Sequence, residues 1–478
     1  MSEADRYVVD VQWADFTRLA VTTMNRPQNV STLMVGEVFA PMPATIPAVK
    51  VLDVVDDKWL EMDASLTFAV LDANLNFFQL QVHDGYRHIA MYELTYPAAA
   101  PVWITSGAWE VTAINAVDPS SGVVYYTATY NSPLERNLYA TAVASPTDSP
   151  VPLCVRGWNV VSFSATLRYY WLDVLGPRAP SSAMYETNNP GEVVVPGVSN
   201  TWLEEYLGQY DMPTVQYRQF LSADTSVTLN GCVGVIAAAM AMTSSNDARM
   251  WSRYMITPPG VSLNTTTRKY PALIYVYGGP GSQTVTKQYA LSGTRARWHF
   301  FLASQGYIVV SVDNRGTGGR YGDYSAQRYA PGCDTALTCA CMCGRVVGFL
   351  VACRGQTFLQ ANFHHLGEKE VLDQLSVADF LSQQHYVDAS KIGIWGWSFG
   401  GYMTARVLCK ASSLIAAGMS VAPVTDWRFY DSIYTEVCQA VPVGCVWVAW
   451  RHRVCCTFCS VTWANQRPMR MGTRRGMH

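Results

Sequence analysis

Lys391-Ile-Gly-Ile-Trp-Gly-Trp-Ser-Phe-Gly-Gly-Tyr-Met-Thr404 is the stretch that decides the fold. A short apolar run through Ile392, Ile394 and Trp395 ends in Gly396-Trp-Ser-Phe-Gly400, and a helix-like segment from Gly401 to Lys410 follows at once. Strand, sharp turn and helix are the setting that a G-x-S-x-G nucleophile elbow requires. Glycine at 396 and 400 lets the strand and helix approach closely around a strained turn. Ser398 then stands with its hydroxyl above the sheet, at the positive end of the following helix. A Gly-rich turn carrying an incidental serine is the plainer reading, and the strand-turn-helix context weighs against it.

Working outward, three more stretches carry information. They are Tyr275-Val-Tyr-Gly-Gly-Pro-Gly-Ser-Gln283, Val312-Asp-Asn-Arg-Gly-Thr-Gly318, and Ala422-Pro-Val-Thr-Asp-Trp-Arg-Phe-Tyr-Asp-Ser-Ile-Tyr-Thr-Glu436. With Trp395-Gly-Trp-Ser-Phe-Gly-Gly-Tyr402, these four motifs in this order resemble the dipeptidyl peptidase IV family of prolyl oligopeptidase-type serine peptidases. The resemblance runs from about residue 7 to 436, with interruptions. It implies a β-propeller followed by an α/β-hydrolase domain.

The 478 residues suffice for two or three domains with ample core. Hydrophobic content of 49% and a formal net charge of −2 point to neither nucleic acid nor a membrane surface as partner. Aromatic residues at 12% against 15% charged lean towards β-rich architecture. Met1 to Arg6 contain no apolar signal core, and no run approaches membrane-spanning length. Relatives of this type commonly enter the secretory pathway or carry an N-terminal anchor, which here would lie upstream. The triplets Asn29-Val-Ser31 and Asn264-Thr-Thr266 are compatible with secretion, and the compartment stays open.

Residues 7 to about 200 read as short strands, among them Tyr7–Trp13, Arg18–Thr22, Ser65–Val70, Tyr86–Tyr92, Trp109–Ile114, Val123–Thr127 and Asn137–Ala142. Asp84-Gly85 and Pro119-Ser-Ser-Gly122 supply hairpin turn chemistry. A weak repeat sets Gly85-Tyr-Arg-His-Ile-Ala-Met-Tyr92 against Leu134-Glu-Arg-Asn-Leu-Tyr-Ala140, its two arginines one propeller blade apart in sequence. A β-sandwich is the competing all-β answer. The period and the resemblance together favour three or four propeller blades, where the family has eight. Trp202–Leu207 reads as a short amphipathic helix. The family anchors a substrate's free amine through a glutamate pair in an earlier propeller segment, so Glu204 and Glu205 are taken as solvated helix charges.

From Tyr270 the character changes to α/β. Buried-looking strands (Ala272–Val276, Tyr307–Val312, Lys391–Trp395) alternate with helical stretches, Arg295–Ser304 and Glu368–Gln384 being the clearest. The latter carries Val371, Leu375, Ala378 and Leu381 on one face. Such alternation implies a mostly parallel, doubly wound sheet. The expected division is a partial propeller over 1–200, a partial hydrolase domain over 201–436 and a tail over 437–478.

Three stretches interrupt this order. Residues 232–249 split what otherwise reads as one strand hairpin, Thr228–Gly231 into Met250–Ile256. Residues from about 330 to 360 separate two sites that the family joins by a short segment. Beyond Glu436 the chain loses turn logic and periodicity. The two later stretches hold ten of the thirteen cysteines, without the paired C-x-x-C spacing of a zinc site, and neither a metal nor a cofactor is called for. Translated intron or a shifted reading frame is the simplest account of them, a lineage-specific Cys-rich loop and tail the other.

A serine hydrolase needs a base for the Ser398 proton, an acid to orient that base, and oxyanion donors. In this fold the acid and base follow the nucleophile in the chain. Only His452 and His478 follow Ser398, both inside the anomalous tail. Asp426 and Asp431 lie in a loop with other duties, and His364, His365 and His385 precede the nucleophile, so no triad Asp or His is assigned. One oxyanion donor is the N–H of Phe399. The resemblance assigns the other to the hydroxyl of Tyr277. It also matches Trp427, Tyr430 and Tyr434 to aromatic walls around a small apolar pocket for a penultimate proline or alanine. Where the family continues after Glu436 with an arginine, this chain has Val437. The resemblance thus implies release of N-terminal Xaa-Pro or Xaa-Ala dipeptides through an acyl-enzyme on Ser398, and assembly as a homodimer. With no base assigned, the chain as written is expected to be inactive. A non-catalytic binding protein is the alternative from another class, and an esterase of the same fold a further one.

Overall fold

The computed structural model describes residues 6–38, 45–61, 66–95, 100–146, 150–218, 220–224, 228–229, 253–264, 266–318, 355–411, 413–439 and 460–463. The 232–249 insert, residues 330–354, His452 and His478 lie outside the described residues, as do the side chains of the ten cysteines in the two later stretches.

The N-terminal half is four antiparallel sheets of four strands each, each built from consecutive strands. The first sheet is β1 (Arg6–Trp13), β2 (Arg18–Asn25), β3 (Val30–Glu37) and β4 (Ala48–Val55). The second is β5 (Leu66–Leu71), β6 (Asn74–His83), β7 (Tyr86–Glu93) and β8 (Val102–Trp103). The third is β9 (Val111–Asp118), β10 (Val123–Ala128), β11 (Asn137–Ala142) and β12 (Val151–Pro152). The fourth is β13 (Asn159–Phe163), β14 (Tyr169–Val174), β15 (Ser181–Glu186) and β16 (Asn189–Pro196).

The two-residue period of a strand explains why these sheets stack as blades rather than close as a sandwich. Successive side chains leave opposite faces, and here both faces of an inner strand are buried. Phe77 packs with Leu33 and Val35 of the first sheet, whereas its neighbour Phe78 packs with Val124 and Tyr126 of the third. Tyr125 and Tyr126 divide in the same way, towards the fourth sheet and the second. The paired arginines of the repeat are both buried, each at the third strand of its blade. Arg87 faces Glu61, and Arg136 lies over the Trp158 ring.

Helix α1 (Thr201–Leu207) follows the last blade and buries none of its residues. Glu204 is more than a solvated charge. Its Oε1 accepts the Ala179 N–H at 3.0 Å and lies 3.8 Å from Arg178, tying the helix to the fourth blade.

The second half is built on one mixed sheet of seven strands. Its strands in chain order are β17 (Thr214–Arg218), β20 (Arg253–Thr257), β21 (Tyr270–Tyr275), β22 (Ile308–Ser311), β23 (Val387–Trp397), β24 (Ala417–Val421) and β25 (Ser460–Trp463), with β18 (Phe220–Leu221) and β19 (Thr228–Leu229) forming a separate two-stranded ladder between β17 and β20. The sheet order is β17-β20-β22-β21-β23-β24-β25. Its four central strands are parallel, and antiparallel strands flank them on both sides. The expected parallel sheet is therefore the centre of a mixed one. Among the described residues, the two strand pieces on either side of the 232–249 insert do not pair with each other. Both pair with the leading segment 214–221, β19 against β18 and β20 against β17.

Helices α2 (Gly293–Ser304), α3 (Gly355–Leu359), α4 (Lys369–Ser382), α5 (Phe399–Lys410) and α6 (Ser432–Gln439) complete the unit. Val371, Ala378 and Leu381 of α4 are fully buried in a core shared with Ile274, Val310, Ile392 and Ile394 of the sheet, and Leu375 packs against it. Two segments from the anomalous stretches join this body. Phe358 and Leu359 of α3 are buried, with the Phe358 carbonyl accepting the Gly316 N–H at 3.0 Å. Residues 460–463 extend the sheet beside β24.

Candidate active site

Ser398 occupies the corner between β23 and α5 with φ 56° and ψ −117°. A non-glycine residue reaches such angles only where its surroundings enforce them. Here they do. The Ser398 N–H donates to the Val421 carbonyl at 3.0 Å, and the Ser398 carbonyl accepts the Tyr402 N–H at 3.0 Å. A side chain at Gly396 would come within 2.3 Å of the Val276 carbonyl, and one at Gly400 within 2.1 Å of the same atom. The two glycines thus let β21 and α5 close on the corner from both sides. Ser398 is partly exposed, while Phe399 behind it is buried.

Phe399 opens α5, where the first-turn N–H groups have no intrahelical acceptor and the helix dipole favours negative charge. Tyr277 leaves the end of β21, and its ring lies 6.2 Å from that of Phe399. Burial, with smaller contributions from Tyr430 and Tyr275, raises the Tyr277 pKa above the usual phenol value. Its hydroxyl therefore stays protonated at neutral pH, as a donor must. Tyr277, Phe399 and Tyr434 converge on Gly279, where any side chain would meet all three within 3.1–3.3 Å.

The three aromatic residues matched to the pocket stand together. Trp427 stacks on Tyr434 (6.1 Å, 20°) and meets Tyr430 edge-on at 5.8 Å, while Tyr430 meets Tyr434 edge-on at 5.5 Å. Trp427 also packs on Phe399 and Tyr402 and is 1% exposed, part of the hydrophobic core. Tyr430 is 45% exposed. Asp426 and Asp431 hold this loop in shape. Asp426 accepts the Arg428 N–H and pairs with its guanidinium, which lowers the Asp426 pKa, and Asp431 accepts the Tyr434 N–H at 2.9 Å.

Among the described residues every imidazole is engaged away from Ser398. His364 stacks on Phe363, His365 lies 3.3 Å from Glu368, and His385 meets Tyr386 edge-on. His83 stacks on Trp103, His88 contacts Thr105 and the Gly107 carbonyl, and His299 packs on Tyr275 and Trp395.

The motif Val312–Gly318, for which the sequence suggested no chemical role, forms the buried backing of this region. Asn314 Nδ2 donates to the Gly278 carbonyl at 3.1 Å, immediately after Tyr277. Arg315 makes a double hydrogen bond to Asp373 through Nε (3.1 Å) and Nη2 (2.9 Å), and its N–H adds a third at 3.0 Å. This planar pairing holds the arginine charged in the interior. Gln374 Nε2 donates to the Val312 carbonyl and to Asn314 Oδ1.

Similarity to known proteins follows the same division. Residues 1–181 match the model of the dipeptidyl peptidase IV N-terminal region, and residues 352–444 match that of the prolyl oligopeptidase family. Over 445 residues the chain is 31% identical to a probable dipeptidyl-aminopeptidase B of Emericella nidulans, covering 90% of this chain and 41% of that one. It is 31% identical over 390 residues to a probable dipeptidyl peptidase 4 of Aspergillus flavus, covering 80% and 42%. The fold is similar to the crystal structure of Porphyromonas gingivalis dipeptidyl peptidase 4, with a TM-score of 0.71 at 27% identity, over 92% of this chain and 52% of that one. The chain spans about two fifths of the length of the curated relatives it matches. Blades, elbow and aromatic loop therefore have one common origin: the chain belongs to the dipeptidyl peptidase IV family of prolyl oligopeptidase-type peptidases.

Proposed function

We propose that this polypeptide carries the nucleophile, the oxyanion donors and the small aromatic pocket of a dipeptidyl aminopeptidase, and lacks the base that would make the serine reactive. In the family reaction Ser398 Oγ attacks the carbonyl after a penultimate Pro or Ala. The Phe399 N–H and Tyr277 hydroxyl stabilise the oxyanion, the peptide C–N bond breaks as the shortened peptide leaves as a protonated amine, and water then hydrolyses the acyl-enzyme to release the dipeptide. The observation that carries the reading is the strained Ser398 corner, with Tyr277, Phe399 and Tyr434 converging beside it. Against turnover stands the chain order: the only histidines after Ser398 in these 478 residues are His452 and His478, both beyond residue 444, where the match to the prolyl oligopeptidase family ends. A hydroxyl without a base is a poor nucleophile.

In this reading residues 1–200 are a partial propeller and 201–436 a partial catalytic domain, interrupted near 232–249 and 330–360. Residues 437–478 form the tail: its start completes α6, the family match ends at residue 444, and Ser460–Trp463 adds an edge strand. The assembly is a homodimer, on the resemblance alone. The second reading, a non-catalytic peptide-binding protein, uses the same pocket. Titration with an Ala-Pro amide, followed by tryptophan fluorescence, tests the pocket apart from the chemistry. Saturable binding weakened about tenfold by Tyr434→Ala is the expected result. No binding, or equal binding by Tyr434→Ala, removes the pocket from the account.

A further inference from the structure

Away from Ser398, a cavity lies at the first turn of α2. It has a volume of about 80 Å³ and is lined by Tyr275, Thr284, Ser292, Arg295, His299 and Ser311 among others. Two of its walls are buried polar side chains left without partners. His299 is 4% exposed and Ser311 3% exposed, and neither His299 Nε2 nor Ser311 Oγ has a hydrogen-bond partner among the described residues. Burial of a polar group without a partner is costly, so such a pair points to an occupant. The volume admits a few waters or one compact ion.

The charge of the walls selects between these. Arg295 is the one ionised side chain lining the cavity; it lies over the Tyr275 ring at 4.9 Å and donates to the Tyr275 hydroxyl at 3.0 Å. Ser292 is the N-cap of α2 but makes no side-chain capping hydrogen bond, and the first turn carries no acidic residue. A twelve-residue helix thus points the positive end of its dipole at the cavity. Burial, and then Arg295, push the His299 pKa down to about 3, so its ring is neutral and offers one N–H. The nearby Asp313 carboxylate is occupied by the N–H groups of Thr284 and Val285 at 2.8 and 3.0 Å.

We propose that this cavity binds a compact inorganic oxyanion, phosphate or sulfate, held by Arg295, the α2 N-terminus, Ser311 and His299. The site has structural consequences because of the strap that forms its other wall. Residues 283–289 run from the Tyr277 loop towards α2 and dock on the propeller. Arg136 donates to Gln283 at 2.7 Å, Lys287 pairs with Glu135 at 2.5 Å, and the Lys287 N–H donates to the Leu134 carbonyl. An anion between strap and helix therefore fastens the junction of the two units.

The test is thermal unfolding of the full chain against inorganic phosphate, at ionic strength held constant with chloride. At ten times Kd the melting temperature rises by about 1–2 °C. Arg295→Gln and Ser311→Ala each weaken the phosphate midpoint at least tenfold, Arg295→Lys retains part of it, and sulfate displaces phosphate. The absence of a phosphate-dependent shift in the unmutated chain, or the same shift in Arg295→Gln and Ser311→Ala, overturns the site and leaves the cavity to water.

Discussion

The Tyr7 hydroxyl donates to Glu436 Oε2 at 2.6 Å, joining the first blade to the helix that carries Tyr434 across 429 residues of chain. Arg26 pairs with the same carboxylate, and Gln28 Nε2 donates to the Ile433 carbonyl. The cluster of Trp427, Tyr430 and Tyr434 is therefore positioned by the first blade as well as by its own domain. Burial alone would raise the Glu436 pKa, but the hydrogen bonds from Arg26 and Tyr7 outweigh it and lower it. A depressed carboxylate stabilises the fold above its unfolded pKa, and that contribution is lost as pH falls through the lowered folded value. Glu436→Gln is expected to cost about 1–2 kcal/mol at pH 7 and nothing in strong acid. Hydrogen exchange of α6 at the two pH values checks this; equal protection in mutant and parent at pH 7 removes the anchor.

The backbone of Ser398 makes a second prediction. At φ 56° and ψ −117°, a side chain is strained and glycine is not. Ser398→Gly should be about 1 kcal/mol more stable than Ser398→Ala in chemical denaturation. Equal stabilities would mean that the corner relaxes out of the strained region.

Glu370 gives the opposite pH behaviour. It is fully buried in α4, one oxygen accepts the Gly367 N–H at 2.9 Å, and the other has no partner among the described residues. Burial raises its pKa to about 7. An acid whose folded pKa lies above its unfolded value binds more protons when folded, so stability falls as pH rises from about 4.5 to 7 and levels off beyond. The loss amounts to about 3 kcal/mol at most. Denaturation from pH 5 to 8 should show this slope, and Glu370→Gln should flatten it; an unchanged slope in the mutant would assign the pH dependence elsewhere.

The sequence was most readable where the chemistry is local. Gly396-Trp-Ser-Phe-Gly400 fixes its own turn within five residues, and the single buried face of α4 follows from its spacing. The weak Arg87–Arg136 repeat marked the blade period because each arginine sits at the third strand of its own sheet. Contacts between distant segments left no such trace. Nothing near Tyr7 announces Glu436, and nothing near Arg315 announces Asp373, since each pair forms only once blade and hydrolase, or sheet and helix, have packed. The antiparallel flanks of the central sheet were hidden for the same reason. Residues 214–218 and 253–257 become partners only across the 232–249 insert. Glu204 read as a solvated charge because Arg178 and the Ala179 N–H lie on a loop that the helix meets only in the fold.

We propose that Ser398 is set in a nucleophile elbow with no base for it within these 478 residues. Hydrolysis of a Gly-Pro or Ala-Pro reporter by the 478-residue chain, measured beside Ser398→Ala, tests it most directly. The account predicts turnover indistinguishable from that of the Ser398→Ala protein. Turnover that Ser398→Ala abolishes would contradict it and would place a working base within the sequence.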